Sequence, residues 1–386
     1  MYEIKTMNNI ARQGLNVLSA KGLLVNNEAA NPDGLLLRSA KIHDMEFGDR
    51  LLAISRAGVG TDNVPVERCT EEGIVVFNAA GGNAQAVVEM AVGALVLASR
   101  DLMEGAMWAK SLAGHENVDK EVEAGKKAFV GPEIMGKTLG IIGLGNIGAR
   151  IANAAIALGM NVWGYDPYLS VESAWRISSD VNHAEDLATI YRNSDYVLVQ
   201  VHHNESTHHM LNAEAFAQMK DGVRVINLAR GGLVDSKAMV AALASGKVAR
   251  YVTDFPDDVV LGVKNVVAFP HLGASTPESE EKCAVMAAQE LSDYLLHGTV
   301  RNSVNLPALS LERAGECRIC VIHKNVPRMI NSFLDLIGAE NINVEHMINK
   351  ARGDVAYTII DVGSPISTEM ANKIAAMPHV KRVRVI

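Results

Sequence analysis

The chain has 386 residues, 48% of them hydrophobic and 21% charged, which is typical of a globular protein of two or three domains. Its formal net charge of −8 gives no support for nucleic-acid binding, because no basic excess is present to neutralise phosphates. No apolar run approaches the roughly 20 residues that cross a bilayer, and the N-terminal segment lacks the apolar stretch of a signal peptide. We therefore expect a cytoplasmic protein that handles small molecules.

The first 80 residues alternate short β-rich runs with helical stretches. Near-continuous apolar strands separated by helices indicate a parallel sheet that is covered on both faces. The predicted strands are GLLVNN (22–27), GLLLRS (34–39), LLAISRAG (51–58) and IVVFN (74–78). The segment 84–99 then predicts a long helix with little polar surface, and such an apolar face needs covering, which predicts a dimer.

A second alternating series begins near Lys137 and predicts six strands with helical crossovers, the pattern of a doubly wound nucleotide-binding domain. The strands are TLGIIG (138–143), NVWGY (161–165), DYVLVQV (195–201), VRVINL (223–228), YVTD (251–254) and NVVAF (265–269). A predicted helix from Thr276 to Gly298 returns the chain to the first domain. After a linker, the remaining residues follow a βαββαβ order, which predicts a small split-βαβ domain.

Four cysteines, Cys69, Cys283, Cys317 and Cys320, are too few and too scattered for a disulfide scaffold. The last two form a CxxC, but CRICVIH is a predicted strand, in which side chains three apart point to opposite faces. The sequence has no second CxxC to complete a zinc site. We therefore predict a structural role for this pair and no metal.

A glycine-rich turn, GLGNIG, follows the strand TLGII and opens a predicted helix. Gly143 permits a tight turn, Gly145 lets the backbone approach a pyrophosphate, and Gly148 allows close packing of helix on strand. The intervening Asn146 and Ile147 begin the helix, whose N-terminal N–H groups and partial positive charge favour phosphates. The turn therefore predicts a dinucleotide site.

Asp166 ends the next strand, where a carboxylate can accept both ribose hydroxyls and repel a 2′-phosphate. Pro167 follows it, and no arginine stands at this point of the sequence to bind the 2′-phosphate of NADP. The sequence therefore predicts NAD as the cofactor.

Three further side chains follow strands of the second series, at the carboxyl ends where open α/β sheets bind ligands. Arg230 follows VRVINLA, Asp254 follows YVT, and His271 follows NVVAFP. A histidine serves as base or acid near neutral pH, and an arginine holds a carboxylate. These are the residue types that hydride transfer from a 2-hydroxy acid needs beside its cofactor.

The segments NLARGGLVD, DFPDD and PHLGAST resemble the catalytic segments of D-isomer-specific 2-hydroxyacid dehydrogenases, and GKTLGIIGLGNIG and YDP are similar to that family's cofactor segments. The resemblance implies that Arg230 holds the substrate carboxylate and that His271 is the general acid/base. It also implies cofactor contacts at Ala229 and at Asp254, with Asp254 facing the nicotinamide amide.

The resemblance further implies an acidic partner for His271 in the segment FPDD. Asp258 occupies the family's acidic position, although aspartate replaces glutamate and the segment is shorter than is usual in the family. Asp257 is the rival for this role.

The segment VQVHHNESTHHML departs from the family, because Gln200-Val201-His202 stands where a histidine–x–proline is usual. We expect the segment to border the cofactor without assigning a contact to Gln200. Its histidines, His202, His203, His208 and His209, lack a carboxylate or cysteine at ligand spacing, which favours a solvated loop over a metal site.

The stretch LLAISRAGVGTDNV resembles the branch of the family that acts on phosphoglycerate. Arg56 precedes a glycine-rich turn containing Gly58, and a guanidinium there could grip a phosphate bidentately. Arg38 is a second candidate cation, with a structural ion pair as the alternative. Backbone N–H groups around Gly82 and Asn83 could cradle the substrate carboxylate.

The C-terminal part resembles an ACT domain, an amino-acid-sensing module. The family's serine-binding pattern, H-x-N-x-P-G, is matched by His323 and Asn325, while Arg328 replaces its glycine. Asn343 matches a polar position that reaches across an interface between two ACT domains. The resemblance therefore implies serine as an effector, with a purely dimerising domain as the alternative.

Together these features predict an α/β protein with two doubly wound, Rossmann-like parallel sheets and a C-terminal βαββαβ domain. We expect a discontinuous substrate-binding domain (1–84 and 286–308), an NAD-binding domain (85–285) and an ACT domain (312–386). The leading hypothesis is NAD-dependent oxidation of 3-phosphoglycerate in serine biosynthesis by a homodimer or homotetramer. The alternatives are a hydroxypyruvate/glyoxylate or other D-2-hydroxyacid reductase, and a non-catalytic NAD-sensing partner protein.

Overall fold

A computed structural model describes residues 1–386, apart from the side chain of Glu172. The chain forms two compact units, of which the first contains residues 1–83 and 277–386 and the second residues 84–276. The C-terminal βαββαβ segment therefore groups with the first unit. The chain returns to that unit at Pro277. The three expected domains and their bounds stay predictions. None of the helices among the described residues is long and apolar enough to cross a membrane.

The first unit begins with five parallel strands in the order β2-β1-β3-β4-β5. The elements are β1 (Glu3–Met7), α1 (Arg12–Ala20), β2 (Leu24–Val25), β3 (Gly34–Leu37), β4 (Ala53–Arg56), α2 (Val66–Glu71) and β5 (Val75–Asn78). All four residues of β3 are buried, as the apolar run predicts. The pattern did not predict β1, because Ile4 is the one fully buried residue in a run that also contains Glu3 and Lys5.

The second unit carries seven parallel strands in the order β12-β11-β10-β9-β6-β7-β8. Its first helices are α3 (Ala84–Ser99), α4 (Leu102–Ser111) and α5 (Val118–Gly125), followed by a 3-10 turn (Lys126–Phe129). Then come β6 (Thr138–Ile142), α6 (Asn146–Ala157), β7 (Asn161–Tyr165), α7 (Val171–Ala174), β8 (Asn182–His183), α8 (Leu187–Asn193), β9 (Tyr196–Val199) and α9 (Ala213–Gln218). The unit ends with β10 (Val223–Asn227), a 3-10 turn (Gly231–Leu233), α10 (Ser236–Ala244), β11 (Val248–Thr253) and β12 (Val266–Ala268).

Helix α3 packs against the seven-stranded sheet and α6 within its own unit. Ala91 and Leu95 of this helix are buried in one core with Leu139 and Ile141 of β6. The apolar face from which we predicted a dimer is thus largely covered inside the second unit. The dimer itself stays a prediction.

The chain then re-enters the first unit through a 21-residue helix, α11 (Pro277–His297). This helix packs across α1 and strands β3, β4 and β5. The approach to α1 is close, because a Cβ added at Gly14 would lie 2.7 Å from the carbonyl oxygen of Ala284.

Four antiparallel strands form the last sheet, in the order β14-β15-β13-β16. The elements are β13 (Cys317–Lys324), α12 (Met329–Ala339), β14 (Val344–Arg352), β15 (Val355–Val362), α13 (Thr368–Ala375) and β16 (Val380–Val385). Cys317 packs with Phe333 of α12 on one face, and Cys320 packs with Tyr294 of α11 on the other. The prediction that the CxxC side chains lie on opposite faces is therefore confirmed, and all four cysteines are free.

The antiparallel sheet caps the carboxyl end of α11, where helix carbonyls lack intrahelical partners and carry the negative end of the helix dipole. Arg384 donates to the carbonyl oxygens of Tyr294 and Leu295 at 3.2 and 2.8 Å. Arg318 donates to the carbonyl oxygen of His297 at 2.7 Å. These cationic hydrogen bonds make the C-terminal sheet part of the first unit's core.

Glu290 is a buried acid on α11, with 6% of its surface exposed. Its Oε1 accepts a hydrogen bond from Asn302 Nδ2 at 2.6 Å, and its Oε2 has no partner among the described residues. Burial raises the pKa of Glu290 to about 8. The folded state therefore keeps a proton that the unfolded chain releases at lower pH.

Glu290→Gln should remove a pH dependence of stability. Because the folded pKa is raised, the contribution of Glu290 to stability is fully present below about pH 4.5 and is lost as pH rises to about 8. The parent should therefore lose stability relative to the variant by at most about 1.4 kcal/mol per pH unit across this window. Thermal unfolding followed by circular dichroism between pH 4.5 and 9 measures the difference. Glu281→Gln, at an exposed position of the same helix, is the control, and parallel curves for the parent and Glu290→Gln would contradict the prediction.

Candidate active site

The glycine-rich turn joins the end of β6 to the start of α6, and its three glycines have different surroundings. Gly143 has a φ of +97°, a backbone conformation that favours glycine. A Cβ at Gly148 would lie 1.9 Å from the carbonyl oxygen of Gly143. A Cβ at Gly145 would meet no atom within 4 Å. The fold therefore requires glycine at 143 and 148, while Gly145 faces open space beside a helix N-terminus that has no side-chain cap.

Asp166 follows β7 and is tied to this turn. Its Oδ2 accepts from the backbone N–H of Leu144 and its Oδ1 from that of Tyr168, both at 2.9 Å. Arg176, which the sequence analysis did not single out, donates to Asn146 Oδ1 at 3.1 Å. It lies 30 residues from Asn146 along the chain, so no local pattern marks the contact. Pro167 is exposed beside Asp166.

Arg230 and His271 lie near the same aromatic ring. The Cζ atom of Arg230 is 5.9 Å from the ring centroid of Phe255, within cation–π range. The ring centroids of Phe255 and His271 are 4.4 Å apart, at an interplanar angle of 46°. Arg230 also donates to the carbonyl oxygen of Ala229 at 2.7 Å. The parallel sheet thus brings together loops that follow β10, β11 and β12. Sequence reasoning missed Phe255, which lies near both candidate catalytic residues.

Three aspartates follow β11, and they differ in environment. Asp254 is 1% exposed, and its Oδ2 accepts from the backbone N–H of Gly273 at 3.0 Å. Burial raises the pKa of Asp254, while the Gly273 N–H, His271 and Arg230 act to lower it. Asp257 accepts from the Ser236 hydroxyl at 2.6 Å and from two backbone N–H groups of the following turn. Asp258 is exposed, and no hydrogen bond among the described side chains joins it to His271.

Two buried acceptor atoms near this edge have no partner among the described residues, namely Oδ1 of Asp254 and Oε1 of Gln200. A buried acceptor without a donor costs free energy unless a ligand or water supplies one. Gln200 directly follows β9, and its carbonyl oxygen lies against Gly143. These atoms fit a cofactor that carries amide and hydroxyl donors.

The histidine-rich loop contains a hydrogen-bonded pair, His203 Nε2 and His208 Nδ1 at 2.9 Å. His209 stacks on His208, with ring centroids 3.8 Å apart. His202 is exposed. Within the described part of the chain, no group of three or more His, Cys, Asp or Glu side chains is arranged to hold a metal ion.

The candidate substrate residues of the first unit are held by local contacts. Arg56 donates from Nε to the carbonyl oxygen of Arg38 at 2.9 Å and from Nη1 to that of Gly60, next to the turn at Gly58. Arg38 forms an ion pair with Glu280 Oε1 at 2.6 Å, which is the structural alternative considered for this residue.

The loop before α3 also belongs to the first unit. A Cβ added at Gly82 would lie 2.8 Å from the Sγ atom of Cys283, so this loop lies directly against α11. The Oδ1 atom of Asn83 is buried without a partner among the described residues.

The candidate effector residues lie at separate places in the C-terminal sheet. His323 is 2% exposed, with Nε2 bonded to the Thr358 hydroxyl at 2.9 Å and Nδ1 to the carbonyl oxygen of Lys324 at 2.8 Å. Asn325 donates to the carbonyl oxygen of Gly353 at 3.2 Å and follows the end of β13. Asn343 precedes β14, and the strand register puts these two asparagines at opposite ends of the sheet.

Arg328 occupies the position at which the resemblance predicts glycine. It stands at the start of α12 with a φ of +72°, in the left-handed region that glycine adopts without strain. An arginine therefore stands at a position whose backbone conformation favours glycine.

Comparison with known proteins agrees with this geometry. Residues 101–273 match the family model of the D-isomer specific 2-hydroxyacid dehydrogenase NAD binding domain. Over 276 residues, the chain is 37% identical to a hydroxypyruvate reductase of Thermotoga maritima, covering 67% of this chain and 83% of the relative. The chain belongs to the D-isomer-specific 2-hydroxyacid dehydrogenase family. The glycine turn and Asp166 lie in its NAD-binding domain, and NAD is its cofactor.

Other relatives are named D-3-phosphoglycerate dehydrogenase. The chain is 35% identical over 280 residues to the enzyme of Methanocaldococcus jannaschii, covering 71% of this chain and 51% of the relative. It is 36% identical over 287 residues to that of a Synechocystis species, covering 72% and 50%. The chain thus spans about half the length of these curated relatives.

A solved NAD⁺-bound 3-phosphoglycerate dehydrogenase of Entamoeba histolytica has the same fold, with a TM-score of 0.62 at 23% identity. The alignment covers 80% of this chain and 99% of that one. The predicted fold class is confirmed by this likeness and by the three observed sheets.

Substitutions at two glycines should separate folding from cofactor binding. Gly145→Ala should leave the thermal unfolding midpoint unchanged, because its Cβ meets no protein atom, but should weaken NAD binding about tenfold or more by obstructing the pyrophosphate. Gly148→Ala should lower the unfolding midpoint, because its Cβ overlaps a carbonyl oxygen. Calorimetric NAD titration and circular dichroism measure the two effects. Unchanged NAD affinity in Gly145→Ala would contradict the placement of the pyrophosphate.

Proposed function

We propose that this protein is an NAD-dependent dehydrogenase that oxidises 3-phospho-D-glycerate to 3-phosphohydroxypyruvate, the step that opens L-serine biosynthesis. The observation that carries the dehydrogenase assignment is the convergence of Arg230, His271 and Asp254 at the carboxyl edge of the NAD-binding sheet. The phosphorylated substrate is supported by the first unit's two arginines and by the names of several relatives.

In this mechanism Arg230 binds the substrate carboxylate and so fixes the C2 atom relative to His271. The imidazole of His271 takes the proton of the C2 hydroxyl as the C2 hydride leaves, so a secondary alcohol becomes a ketone. Bound NAD supplies the hydride acceptor. The ring of Phe255 lies near both side chains.

Arg56 and Arg38 are the proposed phosphate ligands. Two hydrogen bonds of Arg56 go to carbonyl oxygens and orient its guanidinium. Arg38 is paired with Glu280 and must share or exchange that partner to bind a phosphate. The N–H groups of the loop at Gly82 and Asn83 are proposed to contact the substrate carboxylate.

Two alternatives keep the same fold. Activity on unphosphorylated hydroxypyruvate or glyoxylate is favoured by the Thermotoga maritima relative, which is named hydroxypyruvate reductase. A non-catalytic NAD-sensing protein would keep the glycine turn without turnover.

Serine is the proposed effector of the C-terminal sheet. Asn325 and Asn343 offer exposed amides at opposite ends of one sheet, so one serine can contact both only if a second copy of the chain supplies one of them. This arrangement also supports the proposed homodimer or homotetramer.

Substrate preference tests the assignment. With NADH, the parent should reduce 3-phosphohydroxypyruvate with a kcat/KM about 100-fold above that for hydroxypyruvate, because a charge-assisted phosphate contact is worth up to about 3 kcal/mol. Arg56→Gln should lose most of that preference while its rate on hydroxypyruvate changes little. Arg12→Gln, at an exposed position of α1, is the control.

Steady-state NADH oxidation measures both substrates. Equal or better turnover of hydroxypyruvate by the parent would favour the reductase alternative. No turnover of either substrate by the parent would favour the non-catalytic alternative.

A further inference from the structure

The ion pair between Arg38 and Glu280 lies at the carboxyl edge of the first unit's parallel sheet. We propose that Glu280 is a specificity-determining residue, whose carboxylate occupies Arg38 until the phosphate of the substrate replaces it. Glu280 therefore competes with the phosphate and sets how tightly this edge of the sheet binds it. Its role rests on the proposed function, in which Arg38 and Arg56 bind the substrate phosphate.

The two arginines are neighbours because they stand at the ends of adjacent parallel strands. Arg56 is the last residue of β4 and Arg38 directly follows β3, and Leu37 pairs with Arg56 in the strand register. The Nε atom of Arg56 also donates to the carbonyl oxygen of Arg38 at 2.9 Å. Ligands of open α/β sheets bind at this end of the strands. Both side chains therefore start from one place on the carboxyl edge of the sheet.

The first turn of α11 borders the same edge. Cys283 lies three residues after Glu280, and a Cβ added at Gly82 would lie 2.8 Å from its Sγ atom. Burial raises the pKa of the Cys283 thiol, while the charges of Arg38 and Arg56 lower it. The two arginine side chains, the loop at Gly82 and the first turn of α11 are therefore grouped around this thiol.

The pair between Arg38 and Glu280 is short but open to solvent. The Nη2 atom of Arg38 donates to Oε1 of Glu280 at 2.6 Å, and the two side chains are 39% and 42% exposed. Ion pairs this exposed contribute little net free energy, because water screens the attraction and two long side chains lose their freedom. A bound anion of higher charge can therefore replace the carboxylate.

Glu280 also has a favourable environment when it is not paired. It stands in the first turn of α11, where the helix N-terminus carries a partial positive charge. A carboxylate released from Arg38 is still stabilised by that charge, and water can solvate it because the side chain is exposed. The exchange thus leaves no buried charge without a partner.

The exchange depends on the group that the substrate carries at this end. A phosphate has about two negative charges near neutral pH and three acceptor oxygens, so it can take over the hydrogen bond of Arg38. The corresponding end of hydroxypyruvate is a neutral hydroxyl, which is a weaker acceptor for a guanidinium, so the carboxylate stays in place. Glu280 thus keeps Arg38 from uncharged ligands and lowers its affinity for phosphate.

Phosphate binding tests this role of Glu280. Full-length protein saturated with NAD, which occupies the glycine turn, is titrated with inorganic phosphate and followed by phosphorus NMR. Glu280→Gln keeps the size of the side chain but removes the competing charge, and it should bind phosphate about fivefold more tightly than the parent. Glu281→Gln, at the exposed neighbouring position of the same helix, is the matched control and should bind phosphate as the parent does.

A double-mutant cycle shows whether Glu280 acts through Arg38. Arg38→Gln should weaken phosphate binding, and the addition of Glu280→Gln to it should change the affinity no further. The proposal would be overturned by a gain that persists without Arg38, by an equal gain in Glu281→Gln, or by no gain in Glu280→Gln. The absence of phosphate binding in every variant would also overturn it. Circular dichroism spectra show that each variant is folded.

Inorganic phosphate has no C2 atom to oxidise, so this result does not depend on turnover. Tighter binding in Glu280→Gln without reduction of 3-phosphohydroxypyruvate by the parent would support the exchange and contradict the proposed reaction. Reduction of 3-phosphohydroxypyruvate with unchanged phosphate affinity in Glu280→Gln would support the reaction and overturn the exchange.

Discussion

The candidate active site depends on one constraint, which is that strands of a parallel sheet all end at the same edge. In the second unit, the loops after β6, β7, β10, β11 and β12 leave the sheet on that side. Five different loops therefore bring their residues to one edge of the sheet. These are the glycine turn, Asp166, Arg230, Asp254 and His271. Gly148 lies close to the carbonyl oxygen of Gly143, so α6 also begins at this edge of the sheet.

The first unit depends on α11 in a comparable way. The helix packs against the five-stranded sheet, and its carboxyl end is capped by arginines of the antiparallel sheet. Arg318 is also held by a buried ion pair with Asp361 at 2.6 Å. This pair fixes the guanidinium that also donates to the carbonyl oxygen of His297 at the end of α11. An effector bound to this sheet would therefore bind next to strands whose arginines cap the carboxyl end of α11.

Periodicity and motifs predicted much of this architecture. Strands such as GLLL and TLGII could be predicted because a strand that is buried on both faces needs a continuous apolar run. The strands β1 and β8 were missed, because β1 includes charged residues and β8 is an exposed two-residue strand. The glycine turn was recognisable from sequence because its spacing is local.

Contacts between distant segments could not be predicted from the sequence. Nothing in the sequence near Phe255 signals that its ring lies close to both Arg230 and His271, because that depends on how three loops converge. The sequence left the acidic partner of His271 open between two adjacent aspartates, and neither has a hydrogen bond to His271 among the described residues. No motif marks the arginines of β13 and β16, and only the tertiary structure shows that they cap α11.

The proposed function requires that a hydride pass from C2 of a phosphorylated 2-hydroxy acid to NAD at this edge of the sheet. The direct measurement is isotope transfer, in which the protein is incubated with NAD and 3-phospho-D-glycerate carrying deuterium at C2, and the reduced cofactor is analysed by mass spectrometry. If the proposed function is correct, the NADH formed carries the deuterium on its nicotinamide ring. Unlabelled NADH, or no NADH at all, would contradict it.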